Sequence, residues 1–149
     1  MKKLLFTAAL LLPFIVYAQI QRIETNRTHI GKVECYKSTT ITATGDTARD
    51  IIFGFRNEVY EIINDYQVIL IPLKNKNDIT VFINDLKQAT APMSAKGTIL
   101  WDRENYLIQV YDWTEKISLG TPRNSQKAYV SITNKQAEKI INWLTPLID

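Results

Sequence analysis

Cys35 and His29 are the single cysteine and single histidine of the 149-residue chain. One nucleophile–base pair is therefore the most that these two residue types can supply. Six positions apart on one extended strand, they would share a face. At about 3.3 Å per residue they would still lie about 20 Å apart, whereas a catalytic hydrogen bond needs about 3 Å. Only a sharp bend at Gly31 would bring them together. The expectation is a surface histidine and a buried thiol, because free cysteine is among the most buried residue types.

Other chemistries are limited by what is missing. Structural and catalytic zinc sites draw on several His or Cys ligands, and no calcium loop of the form D-x-[DN]-x-[DN]-G occurs. Gly31, Gly45, Gly54, Gly97 and Gly120 stand singly, so neither glycine-rich phosphate cradle is present. No serine occupies G-x-S-x-G. No metal, cofactor or catalytic residue is assigned. Carboxylate hydrolysis needs only two suitably spaced acids, and Asp102 and Glu104 beside Trp101 and Tyr106 are the best local pair. Asp-Arg-Glu-Asn at 102–105 reads more simply as a polar hairpin turn.

Aromatic residues offer a binding surface instead. Tyr106, Ile108, Val110 and Asp112 alternate with Leu107, Gln109, Tyr111 and Trp113. The aliphatic side matches helix stripes built of Ile, Leu and Phe, leaving the aromatic side as the open face. Trp101, Tyr111, Trp113 and Tyr129 are the ligand-binding residues on this reading, since rings with polar tips meet water and a ligand together. Thr47, in Asp46-Thr47-Ala48, resembles a bacterial O-glycosylation acceptor. Asn26-Arg27-Thr28 fits the N-x-T acceptor of eukaryotic secretion.

The elements that must hold these groups are mostly strands. Beyond residue 18 the chain carries 19 Ile, 6 Val and 14 Thr, side chains that suit a pleated surface. Strands are expected at 28–36, 50–55, 58–63, 66–73, 98–101, 106–113 and 127–133, with turns at 64–65 and 102–105. Whether 56–57 turns the chain or 50–63 forms one bent strand is open. Ile79, Phe82, Ile83 and Leu86 form the stripe of one amphipathic helix over 78–89; Ala137, Ile140, Ile141 and Leu144 form that of a second over 134–147. Thr133 and Gln136 fit a T-x-x-Q capping box for the second. The segments 38–47, 90–97 and 120–126 read as exposed loops.

These elements predict an α+β two-layer sandwich: a largely antiparallel sheet of about five to seven strands with two amphipathic helices on one face. Phe82-Ile83-Asn84-Asp85-Leu86 also resembles Ile140-Ile141-Asn142-Trp143-Leu144, 58 residues later. A duplicated strand-strand-helix unit would explain the likeness; so would chance, because the register fails upstream without a gap.

Residues 1–18 read as a cleaved export signal, followed by one globular domain over 19–149. Lys2 and Lys3 precede an uncharged, mostly apolar run from Leu4 to Tyr17, and Val16 and Ala18 suit the cleavage pocket ahead of Gln19. Those fourteen residues reach about 21 Å as a helix, short of a hydrocarbon core of about 30 Å. No transmembrane segment is expected once the signal is removed. Loss of the two lysines leaves 16 Lys and Arg against 15 Asp and Glu, a balance that argues against nucleic acid as a partner. The sequence reads as a non-catalytic binding or interaction module, periplasmic or extracellular and of bacterial type, that takes a protein or a small apolar or sugar ligand. The alternatives are a small extracytoplasmic hydrolase using Asp or Glu and a structural or assembly subunit.

Overall fold

The computed structural model describes residues 21–59, 65–74, 76–91, 99–111, 116–122 and 128–148. Residues 1–18, Trp113, Asn64, residues 60–63 of the strand expected over 58–63 and most of the 90–97 and 120–126 loops lie outside the described residues, and residues 58 and 59 form a turn.

Two four-stranded antiparallel sheets form, each followed by a helix. The first runs β1 (Gln21–Ile30), β2 (Val33–Ile41), β3 (Thr47–Arg56), β4 (Tyr66–Pro72), and α1 (Lys76–Thr90) follows. The second runs β5 (Ile99–Asp102), β6 (Leu107–Val110), β7 (Lys116–Gly120), β8 (Tyr129–Thr133), and α2 (Asn134–Leu144) follows, ending in a short 3-10 turn at Thr145–Leu147. The α+β architecture is as the sequence predicts, with eight strands in two sheets rather than five to seven in one. Both sheets are simple meanders, because each connection is a hairpin and antiparallel neighbours need no crossover.

The two halves share one element order, four strands and then a helix. The aligned helix positions match in burial. Phe82 and Ile140 are fully buried, as are Leu86 and Leu144, and Ile83 and Ile141 are nearly so. Thr133 caps α2 as the sequence requires, accepting from the Gln136 amide while the Gln136 side chain accepts from the Thr133 amide.

One core serves both halves. Alternate residues of each sheet face the helices: Val33 and Cys35, Ile51, Phe53 and Phe55, Ile69 and Ile71, Ile108 and Val110, Ile117 and Leu119, Val130 and Ile132. The aliphatic side of β6 is thus the inner side. Four rings link the halves. Phe53 of β3 stacks on Phe82 of α1 at 5.1 Å, Phe82 meets Tyr106 edge-on at 4.7 Å, and Trp143 of α2 meets Phe53 edge-on at 6.3 Å. Such ring pairs add to the area that they bury.

Two local readings are corrected. Residues 28–36 are not one strand: Gly31 and Lys32 turn the chain so that Ile30 pairs with Val33. Gly31 takes φ +63°, and the Gln136 side chain lies where its Cβ would be, so no other residue fits there without strain. Nor is 38–47 a loop. Its threonines carry β2 on to Ile41, paired on both sides, and only five residues, 42–46, connect to β3.

Candidate functional site

The turn at Gly31 does fold His29 back beside β2, yet it makes no dyad. His29 pairs with Glu34, Cys35 with Thr28, and successive side chains point to opposite faces. His29 stands on the helix-free face with its ring 3.8 Å from the Glu34 carboxylate. Cys35 is fully buried on the helix side, where burial pushes its thiol up to about 12, helped by the neighbouring Glu34 charge. Thiolate chemistry is therefore closed to it at neutral pH.

Asp102 and Glu104 are both exposed, on the β5–β6 turn. The carboxylate that the structure buries is Asp85 of α1. It accepts Arg103 Nε at 2.8 Å, Arg103 Nη2 at 3.0 Å and the Tyr106 hydroxyl at 2.8 Å. Burial raises the Tyr106 pKa, and the hydrogen bond to Asp85 raises it further. Both carboxylate oxygens are engaged in tying the β5–β6 turn to α1. This is a structural clasp.

Helix-free sheet faces offer two more clusters. On the first sheet, the Arg27 guanidinium lies over the Tyr36 ring at 4.9 Å, and Arg22 approaches the same ring at 6.0 Å. Arg22 Nε donates to Ser38 Oγ at 3.0 Å. Glu24 and Glu34 neutralise the two arginines, and the Tyr66 hydroxyl donates to Glu34 at 2.7 Å across Gly54, whose missing side chain leaves room for that ring. The arginines are consumed in covering Tyr36, which is 6% exposed although no helix lies over it.

The second cluster lies at the seam between the sheets. Beyond Arg56 the chain leaves β4 and meets the outer edge of β8, where the Glu58 amide donates to the Tyr129 carbonyl at 2.9 Å. The amides at that edge are bound by side chains. Asn57 Oδ1 accepts from the Tyr129 amide, Glu58 Oε2 from the Ser131 amide and Gln136 Oε1 from the Thr133 amide. These alternate with residues 130 and 132, which pair with β7, so the edge of β8 is closed without a ninth strand. Burial pushes the Glu58 carboxyl up, but hydrogen bonds from Lys32 and Ser131 and the Lys32 charge outweigh it and leave the pKa lowered.

Above this seam opens a groove of about 720 Å³. Tyr129, Ser131, Thr133 and Gln136 line it from the second half; Lys32, Arg56, Asn57 and Glu58 line it from the first, with Lys116 of β7 at its side. Among the described residues Lys32, Arg56, Lys116 and Glu58 are its charged members, and the Tyr129 ring stands 39% exposed among hydroxyl and amide groups.

Of the aromatic residues that the sequence singles out, Tyr129 lines this groove. Trp101 pairs with Ile108 in the row that faces the helices and is partly buried against the core, so it and Tyr129 lie on opposite faces. Tyr111 is half-buried just after β6. Trp101 and Tyr129 therefore do not share a stripe, and Trp113 lies outside the described residues. Thr47 is exposed at the start of β3. The other groove residues carry no sequence signal except Thr133 and Gln136, which the capping box marks for a different reason.

No protein-family model, no curated protein and no solved structure matches the chain.

Proposed function

We propose that the chain is a non-catalytic, exported binding module whose ligand seats on Tyr129 in the seam groove. The observation that carries this reading is the lining: an exposed phenol ring among hydrogen-bonding side chains, with Lys32, Arg56 and Lys116 around them. A ring face suits the apolar face of a sugar, and the hydroxyl and amide side chains around it suit a sugar's hydroxyl groups. A saccharide has both. Glu58 is held by Lys32 and by the Ser131 amide, which favours a role in shaping the groove over acid–base chemistry. Export rests on residues 1–18, and a mature N-terminus at Gln19, read by terminal peptide mapping of envelope or culture fractions, is the expected outcome. A retained Lys2 in that material would reject it.

Calorimetric titration with neutral and uronic-acid oligosaccharides tests the groove. Saturable binding of a saccharide is expected. Tyr129→Ala is expected to weaken it about tenfold or more, equivalent to about 1.4 kcal/mol, while stability stays within about 1 kcal/mol of the parent, as for a surface change. Binding that is absent across both series, or unaltered by Tyr129→Ala, rules out this groove.

A further inference from the structure

The two sheets present four edges, and three of them are guarded against pairing with another chain. β1 carries Arg22, Glu24 and Arg27, with a bulge between Thr25 and Thr28 and Asn26 at φ +55°. β5 is four residues long. The outward amides of β8 are bound by Asn57, Glu58 and Gln136. Charge, bulges, shortness and side-chain cover are the devices by which folded chains blunt their edges.

β4 has none of these along its length. Tyr66–Pro72, Tyr-Gln-Val-Ile-Leu-Ile-Pro, holds seven residues without a charge. Residues 65 and 73 exchange hydrogen bonds with Asn57 and Arg49 on the β3 side. By alternation, the amides of Tyr66, Val68 and Leu70 point outward. Among the described residues none of the three amides has a hydrogen-bond partner on that side. Pro72, which has no amide hydrogen, falls at the next outward position, as proline does on an edge. The side chains of the same three residues lie on the helix-free face and are exposed by 53%, 47% and 41%. Leu70 continues an apolar row that runs from Tyr36 through Ile52.

We propose that β4 pairs with β4 of a second copy of this chain, antiparallel and about a two-fold axis at Val68. The choice of a second copy rests on the edge being complementary to itself. An axis at Val68 sets Val68 against its own counterpart and Tyr66 against Leu70 of the other copy. That register engages the amide and carbonyl of all three residues in both chains and leaves Pro72 outside the ladder. Aromatic–aliphatic pairs opposite one another are favourable in sheets. The first sheets of the two copies become one eight-stranded sheet, with the facing Val68 pair flanked by two Tyr66–Leu70 pairs on the helix-free face. A two-fold pairing is closed, and the guarded edges stop further growth.

Sedimentation equilibrium of the chain over 19–149, across a wide concentration range, tests this. A monomer–dimer equilibrium is expected. Val68→Lys places two lysines opposite each other and is expected to raise the dimer dissociation constant about tenfold or more. Circular dichroism showing a parent-like unfolding midpoint confirms that this variant folds. Val68→Cys is expected to give a disulfide-linked dimer under mild oxidation, because facing residues in such a ladder lie about 5.5 Å apart at Cα; the buried Cys35 stays unreacted. A monomer at every concentration overturns the proposal. So does a dimer that Val68→Lys leaves intact, or one that Val68→Cys does not link.

Discussion

Asp85→Ala is expected to lower unfolding free energy by about 3 kcal/mol, several times the effect of an ordinary surface change. Breaking a buried ion pair costs about 3–5 kcal/mol when the surviving charge stays buried. Arg103 is 46% exposed and can turn to water, which places this case at the low end. The Tyr106 hydroxyl cannot turn away, because that residue is buried against Phe82. Without Asp85 it is left unpaired, at a cost of about 1–3 kcal/mol. Tyr106→Phe alone removes one net hydrogen bond, about 1 kcal/mol. In the double variant the orphaned hydroxyl no longer exists, so the two losses are expected to sum to more than the combined change. Urea unfolding of the parent, both single variants and the pair measures that coupling. Additive losses would mean that the clasp is two independent contacts, and a small loss for Asp85→Ala would remove it from the stability of the fold.

The clasp also shows where the sequence could be read and where it could not. Asp85 sits inside Phe82-Ile83-Asn84-Asp85-Leu86, whose apolar members declare their helix face by spacing alone. Ile79, Phe82, Ile83 and Leu86 are all buried as that spacing requires. Nothing local says that the acid among them meets Arg103, because the contact depends on how the β5–β6 hairpin lies across α1. Lys116–Gly120 is passed over as a strand for a related reason. It is five residues long, with Ser118 buried to 8% in its middle, and only pairing on both sides makes it β7. Trp101 is assigned the wrong neighbours because its face is set by register with Ile108, a property of the hairpin and not of the strand. The groove is the extreme case. Its lining is drawn from residue 32 to residue 136, so no spacing rule can find it.

High pH is expected to unfold the chain through groups that the core keeps protonated. Burial, aided by Glu34, raises Cys35 from 9.0 to about 12. Burial likewise raises Tyr106, with Asp85 adding to the effect. Each group holds its proton more tightly folded than unfolded, so its contribution is complete below its unfolded pKa. As pH rises through the window between the two pKa values, that contribution is lost. For Cys35 the window runs from pH 9.0 to about 12. One group costs about 1.4 kcal/mol per pH unit there, which over the whole window reaches about 4 kcal/mol, a large part of a typical 5–15 kcal/mol. Urea midpoints measured at intervals from pH 8 to pH 11 are expected to fall continuously. Cys35→Ala is the decisive control. It loses some packing at every pH, but it removes one of the titrating protons, so its stability is expected to fall less steeply than the parent's above pH 9. Lysine titration is common to both chains and cancels in the comparison. Parallel curves for parent and variant would show that the Cys35 thiol ionises alike in the folded and unfolded chain, and would take it out of the sealed core between β2 and the helices.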